Sequence, residues 1–209
     1  MSLAVEDLDN NQKFKQLQVV KYSELISFIF DNLRKFNLLM MFFYFLCIVF
    51  FGVAVYSRII LISAYPFSEI IMHSLLGFLI IPAVSIPVHE ALHIIPFYVS
   101  GAKNIRIGMD LKQYLFYVTA HRYVASPIQF IIVALTPFLL ISTAVIYLVI
   151  ILPPLWKWSF SAFLFVHATM CAGDFAIMNF YYVNRNKTIY TWDDVDNKTS
   201  YFYEEIPER

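Results

Sequence analysis

The stretch LLMMFFYFLCIVFFGVAVYS, residues 38–57, runs for 20 residues without a charge. At about 1.5 Å per helical residue it matches the roughly 30 Å thickness of a bilayer's hydrocarbon core. Lipid offers no partner to backbone N–H and C=O groups, so such a run resolves as a helix. The rest of the chain agrees with it. Hydrophobic residues make up 60% and charged residues 14%, against roughly 45–50% and 25% in soluble domains. Fifteen basic and fifteen acidic residues cancel, which leaves no basic face for nucleic acid. Cys47 and Cys171 both sit in apolar runs, so no disulfide framework and no cage of paired thiolates is expected.

Outward from residue 57, a second apolar stretch (70–102) carries one charge, Glu90, a third (123–156) carries none, and a fourth (158–184) carries one, Asp174. The pattern predicts an all-α polytopic membrane protein with about four spans, near 38–57, 70–100, 127–152 and 158–183. Prolines at 82, 87, 96, 127, 137, 153 and 154 should kink or break the second and third stretches. Four spans put both ends of the chain and the loop between spans two and three on one side. Thirteen of the fifteen basic residues fall there, leaving only Arg58 and Lys157 opposite. By the positive-inside rule both termini and that loop are expected to be cytoplasmic. Ahead of the first span, Tyr22, Leu25, Ile26, Ile29, Leu33 and Phe36 recur every three or four residues among charges, which predicts an interfacial helix in a leader of residues 1–37. A small cytoplasmic β-hairpin is expected around Ile105–Ile107 and the β-rich run from Tyr114 to Val124, with Gly108 at a turn. The tail, 184–209, is polar, and its Tyr201-Phe202-Tyr203 cluster suits a strand or a loose anchor.

Across residues 70–192 the acids are Glu90, Asp110 and Asp174, and two of these lie inside predicted spans. Intramembrane acids are expensive and point to function. Glu90 belongs to His89-Glu90-Ala91-Leu92-His93. On a helix, residues four apart share a face, so both imidazoles reach one metal ion, while Glu90, about 100° round the axis, reaches the water the metal activates. A catalytic zinc site takes three protein ligands and an open fourth position. Candidates for the third ligand are His73, His121, His167 and Asp174. Counted from the basic residues that end each span, Asp174 lies at the depth of the two histidines, whereas His167 lies about 10 Å deeper on a straight helix and His73 roughly 24 Å from His89. Asp174 is therefore expected as the third ligand. His167, Cys171 and Asp174 at i, i+4 and i+7 share a face, which makes His167 a candidate supporting partner or transition-state stabiliser. Gly173 is expected where two helices approach closely, and Asn179 is a candidate for holding substrate backbone.

The motif, Gly101 after it, Pro137 in the following span and Gly173-Asp174 in the last resemble the "putative zincin peptidase" family of small bacterial membrane proteins over residues 70–183. The plan is also similar to that of site-2 intramembrane metalloproteases, with Gly173-Asp174-Phe175 where those carry Leu-Asp-Gly. The resemblance implies a peptidase fold. Together with the residues it predicts a zinc-dependent metalloprotease, with His89, His93 and Asp174 holding Zn2+ and Glu90 as general base, acting near the cytoplasmic membrane face on a peptide or membrane protein. The alternatives are a metal ion or proton transporter, a non-catalytic metal-binding protein, and a haem protein with facing axial histidines.

Overall fold

The computed structural model describes residues 3–61, 64–110 and 115–207. In chain order these form a strand β1 (Phe14–Lys21), a short helix α1 (Leu25–Leu33), a long helix α2 (Leu38–Leu61), and α3 (Phe67–Leu75), joined through a π-helical turn at Leu76–Ile80 to α4 (Ile81–Val99). There follow a hairpin of β2 (Ile105–Asp110) and β3 (Leu115–Ala120), then α5 (Pro127–Ile151), α6 (Pro154–Met170), α7 (Ala172–Val183) and a second hairpin of β4 (Ile189–Asp194) and β5 (Thr199–Glu205). Three helical stretches are long and apolar enough to cross a membrane: Leu38–Leu61, Phe67–Val99 and Pro127–Ile151. The pair α6 and α7, bent by 42°, makes a fourth if it crosses as one. No more than a third of each long stretch is buried in the protein. The apolar side chains left outside, among them Phe45, Ile48, Leu79 and Ile150, are compatible with a surface that faces lipid.

Local chemistry sets the helix ends. Ser126 caps α5 by accepting from the Gln129 N–H, the Gln129 side chain accepts from the Ser126 N–H, and Pro127 fills the first turn, where a missing N–H costs nothing. Helix α4 ends at Gly101, whose φ of 95° allows the Gly101 and Ala102 N–H groups to return to the carbonyls of Tyr98 and Phe97. The expectation that prolines kink or break the spans is met at Pro153 and Pro154, which separate α5 from α6, and beside Pro82, but not at every proline. Pro87 and Pro96 lie inside a continuous α4. The irregularity is the π turn just before Pro82, whose ring would crowd the Phe78 carbonyl and offers it no N–H. Here the chain also passes closest to α6: a Cβ on Gly77 would lie 2.4 Å from the Ser159 carbonyl oxygen.

The interior of the bundle is built from α2, α5, α6 and α7, with Phe43 stacked on Phe175 at 4.5 Å and Phe138 edge-on to the same ring. His73 lies buried between α3 and α6, with its Nδ1 2.8 Å from the Ser159 hydroxyl.

The all-α expectation is corrected by a three-stranded antiparallel sheet in the order β1-β5-β4, beside the anticipated hairpin β2-β3. The turn of that hairpin, with Lys112 and Tyr114, lies outside the described residues, as does Arg209. Gly108 is not at the turn but within β2, opposite Tyr117. The sheet is covered on both faces. Phe14 and Trp192 pack with Val5, Leu8 and Val124 on one side, while Val20, Ile189 and Phe202 pack with Phe28 and Phe180 on the other. A bulge between Gln16 and Gln18 switches the parity of β1, so Phe14 and Val20 serve opposite faces despite their even spacing. The Ala125–Thr191 bridge and the Arg122 N–H donated to Asp193 O tie the segment after β3 to the outer edge of β4. The sheet and hairpin are thereby fixed against the same end of the bundle.

Helix α1 turns its buried face, Phe28 and Asn32, toward α7 and the sheet, with Phe28 5.5 Å from Phe180 and 5.8 Å from Phe202. The expected substrate-binding Asn179 is occupied here instead. Its Nδ2 donates to the carbonyls of Asn32 and Lys35, and its Oδ1 accepts from Asn37 at 2.6 Å. Asn179→Ala should therefore loosen the leader from α7 and lower stability by about 2 kcal/mol, since the buried Asn32 carbonyl loses its side-chain donor. Thermal unfolding in detergent reads this as a lower melting temperature, without loss of bound metal from the separate centre described below.

Candidate metal centre

Helix α4 carries His89 and His93 one turn apart, and both are buried. Their Nε2 atoms converge on one carboxylate: His89 lies 3.2 Å from Asp174 Oδ2 and His93 3.6 Å from Asp174 Oδ1. The second nitrogen of each ring is spoken for. His93 Nδ1 donates to the Val133 carbonyl of α5 at 2.9 Å, which fixes the tautomer and leaves Nε2 with its lone pair toward Asp174. His89 Nδ1 lies 3.4 Å from His167 Nε2. With the proton on Nδ1, the His89 Nε2 lone pair likewise faces the carboxylate. Two imidazole nitrogens and a carboxylate oxygen are a donor set suited to zinc, and the group opens on a cavity that supplies the fourth position. Glu90 lines that cavity, and its carboxyl comes within reach of both histidines: one ligand atom from each of His89, Glu90 and His93 falls in a common 4.8 Å set.

The two halves of the site come from distant parts of the chain, with a bend at Cys171 between His167 and Asp174. Helices α6 and α7 meet at a bend of 42°. His167 reaches the far nitrogen of His89, while Asp174, in the first turn of α7, reaches the near one. His167 is fully buried, and its Nδ1 has no hydrogen-bond partner among the described residues. Cys171 fills the space between, with Sγ 4.0 Å from His89 Nδ1 and 3.7 Å from His167 Nε2. His89, His167 and Cys171 form a second possible donor group, but His167 and Cys171 do not line the cavity, and the group borrows the back of His89.

Other expectations are placed differently. Gly173 is not a point of tight helix contact: a Cβ there would meet only the Ile29 side chain of α1, at an ordinary 3.6 Å. The close approach that a glycine does serve is at Gly77. His121 stays with the sheet, where its Nδ1 accepts from the Val195 N–H and its Nε2 lies 3.5 Å from Asp196. Residues missing from the sequence reading are Val133, whose backbone orients His93, and Asp193, a carboxyl on the wall of the same cavity. No motif marks either one.

A family model described as "Putative zincin peptidase" matches residues 82–190, 109 of the 209 residues. The chain belongs to this family. The matched region takes in α4 with its HExxH motif, the β2-β3 hairpin, α5, α6, and α7 with Asp174. Membership in the zincin peptidase family supports a metallopeptidase in general terms. No match is found among curated proteins or solved structures.

Proposed function

We propose that the protein is a zinc-dependent metallopeptidase of the membrane, hydrolysing a peptide bond at or near the cytoplasmic face. One observation carries this reading: two imidazole Nε2 atoms, one locked by the Val133 carbonyl, converge on Asp174 beside Glu90 at the wall of a cavity. His89, His93 and Asp174 are the residues that would hold the ion. A zinc ion in such a set supplies a water of lowered pKa, near 7, and polarises a carbonyl oxygen. Glu90 takes the proton from the attacking water and delivers it to the amine leaving the scissile bond. Val133 O and His167 hold the histidine rings in the orientation that keeps Nε2 inward. The 13 to 2 distribution of basic residues supports a cytoplasmic placement of both termini, the β2-β3 hairpin and the three-stranded sheet. The substrate is then a peptide or the unwound end of a membrane segment.

Metal analysis of the purified full chain tests the reading directly. Its expected result is about one zinc per chain, without a haem absorbance band, and hydrolysis of an apolar peptide that stops on chelation and returns with zinc. Zinc transport into liposomes without any hydrolysis would replace the peptidase by a transporter.

A further inference from the structure

The cavity at the metal centre, about 240 Å³ in volume, reaches beyond the centre. It continues between α1, β3 and the sheet along Phe28, Phe116 and Phe202 to a polar end formed by Thr119, Ser200 and Asp193. Asp193 is set on β4 with part of its surface turned to the cavity. Its Oδ2 accepts from the Thr119 hydroxyl and its Oδ1 from the Ser200 hydroxyl. Among the described residues no lysine or arginine pairs with it.

That combination is unusual for a residue that only ties strands together. An asparagine would bridge two hydroxyls without the cost of a walled-in charge. Burial pushes the Asp193 carboxyl above the ordinary carboxylate range, so a cation brought to it would be held by a group otherwise short of compensation. A carboxylate offers about four lone-pair positions, and two hydroxyls leave the others open.

We propose that this extension is the substrate-specificity pocket of the peptidase, receiving a lysine or arginine side chain with its aliphatic stem along the phenylalanine wall and its charged head on Asp193. The inference rests on the peptidase reading above and names its substrate class. The position of the pocket fits that class. It runs from a centre between apolar helices to a polar sheet outside them. A substrate segment leaving the bilayer on the side rich in positive charge presents its first lysine or arginine across the same boundary.

A lysine walk tests this on the zinc-loaded full chain in detergent. Apolar peptides carrying one lysine, moved residue by residue, are digested and the products weighed. The cut is expected to follow the lysine at a fixed offset, and norleucine in its place should lower kcat/KM by about tenfold or more. Asp193→Asn should bring the lysine-to-norleucine ratio to within about twofold of one, whatever its absolute rate. A residue that merely joined β3 to β5 would slow both peptides alike and leave the ratio where it was. Cleavage by the wild type that ignores the lysine's position overturns the pocket and leaves the peptidase standing. If the zinc-loaded wild type cuts no peptide at all, the peptidase reading falls and takes the pocket with it.

Discussion

Glu90→Gln is expected to keep its zinc and lose peptide hydrolysis by about 10²–10⁴-fold, the usual worth of a positioned general base. The structure explains why the two effects should separate. Glu90 stands on α4 between the two histidines in sequence but not in direction: His89 and His93 point their Nε2 atoms at Asp174, and no ion pair of Glu90 joins that set among the described residues. Glutamine keeps the shape and removes only the ability to take a proton. The loss should therefore fall on kcat, with zinc content by metal analysis unchanged at about one per chain. A Glu90→Gln protein that still hydrolyses peptide at the wild-type rate would sink the proposed mechanism.

Asp174→Ala should act the other way round and release the metal. Its carboxylate is the meeting point of both Nε2 atoms, at 3.2 and 3.6 Å, and alanine leaves two neutral imidazoles with only the Glu90 carboxyl nearby to balance a divalent ion. Loss of a mere supporting partner lowers metal affinity about 10–100-fold, and loss of a direct ligand should exceed that. Competition with a chelator of known affinity measures it. Activity should vanish with the zinc and return in part at high zinc concentration, which Glu90→Gln will not do. His167 offers a control. It meets the proposed ligand set only at the far nitrogen of His89, so His167→Ala belongs in the smaller range. Zinc affinity unchanged in Asp174→Ala would remove Asp174 from the ligand set and direct attention to His89, His167 and Cys171, which also lie together.

The parts of the molecule legible in the sequence are those governed by local rules. An uncharged run of 20 residues admits few structures in lipid, and α2 forms over it. The i, i+4 spacing of His89 and His93 dictates a common helix face wherever the helix lies. Matching depths were enough to bring Asp174 into consideration, and the structure places it against both histidines. The same count set His167 behind Asp174, and His167 meets the far nitrogen of His89 rather than the near one. The sheet was hidden for a different reason. Strand β1 serves two cores on opposite faces and changes parity at its bulge, so its packed apolar residues Phe14, Leu17 and Val20 follow neither the strand period nor the helix period. Its partner β5 lies about 180 residues away, and pairing at that distance leaves no mark within either segment. Asp193 shares that invisibility, since only the assembled sheet brings it to the cavity.

The pairing of β1 with β5, in which Phe14 meets Glu205 and Lys21 meets Thr199, also orders events in time. Each long helix is made from hydrogen bonds between near neighbours and can form and insert by itself. The sheet waits for a loop of nearly the whole chain to close, and long-range pairings of this kind form late. A chain with every helix in the bilayer thus still lacks one wall of its cavity, and the HExxH centre stands open to bulk water with nothing to seat a substrate beside it. On the proposed peptidase reading, hydrolytic competence is expected only once this sheet has closed, so that the unfinished chain is inert.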